Sequence, residues 1–291
     1  MSVSSATSKS LPIGVELPQR SWRHEAAAIR IVWQRDLIRF WQDRTRMVAS
    51  LVQPALFLFV LGTGLSQLTS GSFGGISLKT FMFPGIVAMS TLFTSLFSAG
   101  SIVWDREFGF MREMLVAPVS RSAIVLGKCF GGATVATIQG LVILALAGAV
   151  GVPYSAVLMI ELIGVMLLLS FTLTSLGVAA AARMRNIQTF FGLMQVVVMP
   201  MFFLSGALYP LGGLPAWLRA LTRIDPITYA VDPMRRLVFD HLDITTIARA
   251  RLAPGVTWNG WLIPIPLELA LVTAIGLIML AIGIWEFRLN D

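Results

Sequence analysis

The sequence predicts an all-α integral membrane protein with six transmembrane helices, and three observations lead to this fold class. Hydrophobic residues make up 56% of the 291 residues and charged residues only 13%, whereas soluble domains carry roughly 25% charged residues. Six segments are apolar over a length that crosses about 30 Å of hydrocarbon as a helix. The basic residues behind the net charge of +7 gather beside these segments, as positive-inside sorting requires, so no nucleic-acid partner is expected.

Two elements are predicted before the first span. Residues 1–21 are rich in Ser, Thr and Pro and predict a disordered cytosolic tail, with no apolar core of a cleaved signal peptide. Residues 22–46 repeat apolar side chains at steps of three and four, which is typical of an amphipathic helix in the membrane interface. Its polar side carries arginines, and its apolar side is expected to hold Trp22, Ala26, Ile29, Trp33, Leu37 and Phe40.

The remaining chain, 47–291, is one transmembrane domain with both termini in the cytoplasm. Arginines concentrate before the first span and in the loops after the second and fourth spans, and the loop at 151–154 has none. The positive-inside rule therefore assigns the tail and these loops to the cytoplasm. The six spans are predicted at residues 47–68, 81–104, 123–150, 155–182, 187–209 and 262–285.

The segment 105–121 carries more charged and large apolar side chains than a simple connecting turn requires. It mixes charged with apolar side chains between two long apolar segments. A short helix of this composition lies at the membrane surface and presents one face to a cytosolic partner. The side chains concerned are Asp105, Arg106, Glu107, Phe108, Phe110, Met111, Arg112, Glu113 and Leu115.

The segment 210–261 on the external side is too long for a simple loop. It holds two semi-apolar pieces, 214–221 and 227–239, and neither is long enough to span. We expect short re-entrant helices that dip into the outer leaflet, with breaks at Asp225-Pro226 and Asp232-Pro233.

Chemistry-bearing motifs are absent from the sequence. The nearest match to a phosphate-binding loop, Gly127-Lys128-Cys129, lacks the leading Gly and the magnesium-binding hydroxyl. The two histidines lie outside the spans, so a histidine metal site in the membrane is not expected, and the single Cys129 excludes an internal disulfide. Glu161 and Glu268 lie near external span ends, where a structural role is favoured over ion transport.

Met and aromatic side chains share faces of the second and fifth spans. They form either an adaptable lining for hydrophobic cargo or ordinary packing against lipid and the bundle core. The candidate pathway residues are Met89, Phe93, Phe97, Phe190, Phe191, Met194, Met201 and Phe202. Small residues four apart, at Gly132, Ala136 and Gly140 and at Gly177 and Ala181, allow close helix contacts within the chain or across a dimer.

With this topology the sequence resembles the permease subunits of type-2 ABC exporters, most closely the drug-resistance branch typified by the daunorubicin exporter. The resemblance begins near Trp22. Its most specific parts are residues 105–121 with Gly127-Lys128, and the run from Phe203-Leu-Ser-Gly-Ala-Leu-Tyr-Pro210 to Asp225-Pro-Ile-Thr-Tyr229.

The resemblance implies partners as well as a fold. Such permeases work in the bacterial inner membrane with a second permease, identical or paralogous, and two copies of a separate ATPase subunit. ATP and magnesium belong to that subunit, so this chain is expected to bind no cofactor and no metal. Residues 105–121 are similar to the family's coupling helix and 22–46 to its connecting helix. The ATPase contacts implied are Asp105, Arg106, Glu107, Phe108, Gly109, Phe110, Met111, Arg112, Glu113, Leu115, Pro118, Trp33 and Arg35.

Two alternatives stay open at this point. A secondary transporter would need ion-coupling groups at mid-membrane, where the spans offer almost none. A membrane enzyme acting on a lipid-linked substrate would have to use Asp225, Asp232, Asp240 or Asp243. The resemblance allows the cargo to be a drug, a lipid, a glycolipid, a peptide or a polysaccharide precursor, of which the aromatic and Met side chains favour an amphiphilic one. The direction of transport is also open.

Overall fold

A computed structural model of the chain describes residues 22–66, 76–109, 119–258 and 260–290. Within these ranges six helices are long and apolar enough to cross a membrane, which confirms the predicted fold class. They are α2 (Arg44–Gly64), α3 (Leu78–Glu107), α4 (Arg121–Leu144), α5 (Ala156–Ala182), α6 (Ile187–Leu204) and α10 (Ile265–Asn290). The predicted tail, 1–21, lies outside the described residues.

The other described elements lie before and between these helices. Helix α1 (Trp22–Gln42) precedes α2, and a 3₁₀ turn (Ala147–Val150) follows α4. Between α6 and α10 the chain forms α7 (Ala216–Ile224), α8 (Thr228–Asp240), α9 (Thr246–Leu252) and a two-residue hairpin of β1 (Thr257–Trp258) and β2 (Trp261–Leu262). Polar residues cap several helices: the side chains of Ser77, Ser120, Asn186 and Thr245 each accept an N–H of the first turn.

Helices α3, α4 and α5 form the centre of the bundle. In both α3 and α4, 72% of the most apolar stretch is buried, whereas the figures for α2 and α6 are 17% and 22%. Close contacts in this centre depend on glycine. A Cβ atom at Gly177 of α5 would lie 2.7 Å from the Cβ of Ala99, and one at Gly132 of α4 would lie 2.6 Å from the Cγ2 of Thr174. The small residues therefore serve packing within the chain, the first of the two interpretations.

The helix predicted at 22–46 is two helices, and its buried side differs from the prediction. Asp43 separates α1 from α2 and accepts the N–H of Arg46 at 3.0 Å. Ala28, Val32 and Asp36 form the buried face, whereas Trp22 is 77% exposed. The reason is the surface of α4 that α1 contacts: Gly127 and Gly131 leave room there, and a Cβ at Gly127 would lie 2.7 Å from the Cβ of Val32.

Several predicted ends are also corrected. Helix α4 ends at Leu144 and α6 at Leu204, short of the predicted 150 and 209. Gly206 follows α6 with a φ of +71°, a left-handed conformation that ends a helix, and Gly151, with a φ of +80°, ends the 3₁₀ turn that follows α4. The break at Asp225-Pro226 is confirmed, but Pro233 lies inside α8. Burial of nearly all of α8 from Thr228 to Arg235 offsets the hydrogen bond that the proline cannot donate.

Candidate functional site

The described part of segment 105–121 lies at the end of the bundle that also carries α1, called here the α1 end. Its upstream part is attached to the connection between α5 and α6. The Arg106 guanidinium donates to the carbonyls of Ala182 and Met184 at 3.0 and 2.7 Å, and it lies 5.6 Å from the ring centroid of Phe287. The Glu107 carboxylate accepts the N–H of Ile187 at 2.8 Å. A cation at the C-terminal end of α5 and an anion at the N-terminal end of α6 both oppose helix-end charges.

The downstream part is attached to α1 and α10. The N–H of Ser120 donates to the Glu25 carboxylate at 3.3 Å, and the Ser120 hydroxyl also hydrogen-bonds with that carboxylate. Arg121 donates to the carbonyls of Phe287 and Arg288 at 3.3 and 3.1 Å. The two ends of the segment thus hold the ends of α1, α3, α4, α5, α6 and α10 together.

Four charged side chains from three helices meet just inside the α1 end. We call them the charge ring: Arg35 and Asp36 of α1, Asp105 of α3 and Lys128 of α4. The Lys128 ammonium lies 3.0 Å from Asp36 and 2.8 Å from Asp105. Arg35 lies 2.5 Å from Asp105 and 3.9 Å from Asp36. Lys128 and Asp105 are almost fully buried, whereas Arg35 is partly exposed.

The expected ATPase contacts divide into three groups. Asp105, Arg35 and Trp33 face the interior of the chain, the last donating its Nε1–H to Thr134 at 3.0 Å. Arg106 and Glu107 hydrogen-bond with backbone groups of the chain, and Glu107 is also exposed, so its pairing with a basic partner stays a prediction. Phe108 is 59% exposed and stacks on Trp104, and Gly109 has a φ of +83°. The rest lie outside the described residues: Phe110, Met111, Arg112, Glu113, Leu115 and Pro118.

The charge ring and the Ser120 attachment contain residues that the sequence analysis did not select, namely Glu25, Asp36, Ser120 and Lys128 as a charge partner. One signal was present. Lys128 lies inside the third predicted span, where a lysine needs an anion close by. Asp36 lies four residues from Val32 on the same helix face, but sequence spacing alone does not distinguish it from a solvated residue.

A cavity of about 670 Å³ opens between α1, α2, α3 and α6 at the same end. Three of the candidate pathway residues line it: Phe93, Phe97 and Phe191. Their rings contact one another, with centroids 6.1 Å apart for Phe93 and Phe97 and 5.6 Å apart for Phe97 and Phe191. Its polar lining includes Asp36, Arg39, Asp43, Arg46, Ser50, Gln53, Thr94, Ser98 and Ser101. A cavity with an aromatic wall and a charged rim suits an amphiphilic molecule.

The other candidate pathway residues do not line this cavity. Met89, Phe190, Met194 and Phe202 are at most 1% exposed and belong to the hydrophobic core. Met201 is half-buried against that core. Core packing therefore describes these five residues better than a lining does.

The acidic residues of segment 210–261 stabilise the fold of that segment through hydrogen bonds and ion pairs. Asp225 accepts the N–H of Ile227 at 3.1 Å, and burial raises the pKa of its carboxyl group to about 8. Asp232 accepts the N–H of Val256 and pairs with Arg236. Arg236 also pairs with Glu268 at 2.7 Å, and Asp240 pairs with Arg249. Among the described ranges, no three His, Cys, Asp or Glu side chains come close enough together to bind a metal.

The architecture is that of a multi-pass membrane protein. The family model described as ABC-2 type transporter matches residues 27–239. The chain belongs to the ABC-2 type transporter family, as a permease subunit.

Curated relatives agree with this assignment. Nodulation protein J of Rhizobium leguminosarum bv. trifolii is 29% identical over 214 residues, which cover 72% of this chain and 80% of that protein. The transport permease ycf38 of Porphyra purpurea is 27% identical, over 71% of this chain and 72% of that protein. The multidrug ABC transporter permease YbhR of Escherichia coli (strain K12) is 29% identical, over 55% of this chain and 44% of that protein. The chain is accordingly a transport subunit and not an enzyme.

Proposed function

We propose that this chain is the membrane subunit of an ATP-driven exporter and receives work from a separate ABC ATPase subunit through residues 105–121. The observation that carries the proposal is the attachment of both ends of this segment. Upstream, Arg106 and Glu107 hold the α5–α6 connection. Downstream, Ser120 and Arg121 hold α1 and α10. A force on the segment is therefore delivered to several membrane helices at once.

The residues of the segment suit a contact with another protein. Phe108 is exposed, and Phe110, Met111, Arg112 and Glu113 follow it in sequence. Aromatic anchors surrounded by charges are typical of interface hot spots, and truncation of one costs on the order of 2 kcal/mol or more. In the assembly that we propose, two ATPase subunits bind ATP and magnesium, and this chain binds neither.

Two copies of the chain, or this chain and a paralogue, form the translocation pathway. Helices α2 and α6 support this part of the proposal, because most of their apolar surface is left uncovered by the rest of the chain. The α1 end faces the cytoplasm of a bacterial inner membrane, since the arginine-rich α1 and loops lie there. Cargo moves from the cytoplasmic α1 end toward the external end of the bundle and leaves the cell.

The cargo class that we propose is a hydrophobic or amphiphilic molecule. The aromatic wall of the cavity, Phe93, Phe97 and Phe191, accepts an apolar part, and the rim near Arg39 and Arg46 accepts a polar part. A volume of about 670 Å³ falls within the range of roughly 300–1,000 Å³ that small-molecule sites occupy.

Reconstitution tests the proposal. The chain is purified into liposomes alone and with a candidate ABC ATPase subunit from the same organism, and ATP hydrolysis and co-purification are measured. We expect no ATP hydrolysis by the chain alone and hydrolysis by a stable complex. Phe110→Gln should weaken that complex, whereas the matched control Trp217→Gln, at an exposed aromatic of α7, should not. Hydrolysis by the chain alone, or an unchanged complex with Phe110→Gln, would overturn the proposal.

A further inference from the structure

The charge ring joins three helices, α1, α3 and α4, at the α1 end. Each of its cations contacts both of its carboxylates, since Lys128 and Arg35 each lie within 4.0 Å of Asp36 and of Asp105. Arg39 of α1, whose side chain is half-exposed, also lies 3.8 Å from Asp105. The ring therefore consists of four ion pairs, with two members from α1, one from α3 and one from α4, and Arg39 adds a fifth pair on its solvent side.

Lys128 is the member with the least freedom. Its ammonium group has three N–H donors, and it has three partners: Asp36 at 3.0 Å, Asp105 at 2.8 Å and the hydroxyl of Ser101 at 3.0 Å. Its side chain is 1% exposed. A buried ammonium that lost these partners would be left uncompensated in an apolar environment, which is strongly unfavourable. Lys128 therefore makes a strong contribution to the position of α1 on α3 and α4.

The rest of the contact between α1 and α4 does not extend to α3. Val32 and Asp36 of α1 pack over Gly127 and Gly131 of α4. Two further hydrogen bonds, from Trp33 to Thr134 and from Ser120 to Glu25, join α1 to α4 alone. The ion pairs of Lys128 are directional contacts that tie α1 to α3 as well as to α4.

We propose that Lys128 is a positioning residue: through the charge ring it makes α1 move as one body with the ends of α3 and α4. Asp105 and Arg35 then act inside the chain and not by contact with an ATPase. The role of this rigid unit in carrying ATP-driven motion rests on the proposed function. The existence of the rigid unit does not, because it can be measured in the chain alone.

Two variants separate rigidity from folding. Lys128→Met leaves two buried carboxylates with the partly exposed Arg35 and Arg39, so it is expected to lower thermal stability as well as loosen α1. The quadruple variant Arg35→Gln, Asp36→Asn, Asp105→Asn, Lys128→Met removes all four charges together. Arg39 then loses Asp105 as a partner, but its half-exposed side chain stays solvated, so the variant is expected to keep the fold. Lys79→Met is the matched control, because Lys79 lies at the opposite end of α3 and outside the ring.

The measurement is the distance between spin labels in the full-length chain, in phosphatidylglycerol-containing liposomes and with Cys129 replaced by Ala. One label pair, at exposed Gln34 of α1 and exposed Gln188 of α6, reports the position of α1. A second pair, at Gln188 and Leu289 of α10, reports the bundle without α1. We expect a narrow 34–188 distribution in the wild type and in Lys79→Met. In the quadruple variant this distribution should broaden while the 188–289 distribution stays narrow.

A narrow 34–188 distribution in the quadruple variant would overturn the inference, whatever the ATPase does. A second arm adds the ABC ATPase subunit with ATP and vanadate. If the wild type then shows a nucleotide-dependent shift at 34–188, the quadruple variant should lose it while complex formation persists. If the wild type shows no shift, the proposed function fails and the result of the first arm still decides on the charge ring. A shift retained in the quadruple variant would contradict the transmission role of Lys128.

Discussion

At the residue scale, the charged side chains at the α1 end act mainly on groups of their own chain. Arg106 supplies donors to the last carbonyls of α5, and Glu107 accepts an N–H at the start of α6. Glu25 accepts from Ser120 at the start of α4. Helix ends leave backbone donors and acceptors without intrahelical partners, so these charges satisfy groups that burial in a bundle would otherwise leave unpaired.

The capping role of Glu107 gives a stability prediction. Glu107→Ala should cost about 1 kcal/mol, as loss of an N-terminal cap typically does, because the N–H of Ile187 loses its acceptor. Glu107→Gln keeps an acceptor oxygen and should cost clearly less. Thermal unfolding in detergent measures both, and equal losses for the two variants would show that the charge and not the hydrogen bond matters.

Asp225 makes a pH-dependent prediction. Burial raises the pKa of its carboxyl group to about 8, from about 3.9 in an unfolded chain. The folded state then holds a proton that the unfolded state has released, so stability is full below pH of about 4 and falls as the pH rises toward 8. Asp225→Asn keeps an acceptor for Ile227 N–H and removes this slope. Unfolding temperatures measured from pH 5 to pH 8.5 check it, and equal slopes for the variant and the wild type would refute the assignment.

The importance of these residues could be predicted from the sequence, but their interaction partners could not. The charged, apolar composition of 105–121 selected Asp105, Arg106 and Glu107 as important residues. Their partners were out of reach, because Asp105 contacts Arg35, 70 positions away, and Arg106 contacts Ala182, 76 positions away. Composition indicates that a charge needs a partner, but only the packing of α1 on α4 determines which partner it meets.

At the element scale, the membrane helices could be predicted from the length of apolar segments, whereas their packing depends on glycine residues. All six spans were predicted from apolar length, since that property is local in sequence. The face of α1 that packs on α4 could not be predicted, because it depends on the glycine surface of α4. The hairpin of β1 and β2 was missed although the sequence between the two strands is Asn259-Gly260, a pair that favours tight hairpin turns.

Packing around glycine yields a prediction with a control in the same helix. Gly177→Leu should destabilise the protein by about 1–3 kcal/mol through overpacking, since a Cβ there would lie 2.7 Å from that of Ala99. Gly164 lies in the same helix, is exposed and has no atom within 4 Å of an added Cβ. Gly164→Leu should therefore leave the unfolding temperature nearly unchanged. Similar losses at both positions would contradict the packing of α5 on α3.

At the scale of the whole molecule, the bundle is unevenly covered. The centre of α3, α4 and α5 is closed, while α2 and α6 are covered on one side only. The ABC-2 family assignment explains why this is compatible with a stable protein, because a lipid bilayer solvates the apolar surface and a second permease can cover part of it.

Cysteine cross-linking tests the second copy. In a Cys129→Ala background, Val196→Cys on the exposed face of α6 should form a cross-linked dimer in native membranes. Ile160→Cys, equally exposed on α5, should not. A cross-link at position 160 without one at 196 would assign the interface to another face of the bundle.

The central claim is that an ATPase subunit acts on this chain through residues 105–121, and a site-specific photo-cross-link tests it most directly. A photoreactive amino acid replaces Phe110 in the full-length chain, expressed with the ABC ATPase subunit in intact cells, and the adducts are identified by mass. The same residue at Ile247, exposed on α9 at the opposite end, is the control. The account predicts an adduct with the ATPase subunit at position 110 and none at 247. An adduct at 247, or an ATP-hydrolysing complex without any adduct at 110, would contradict it.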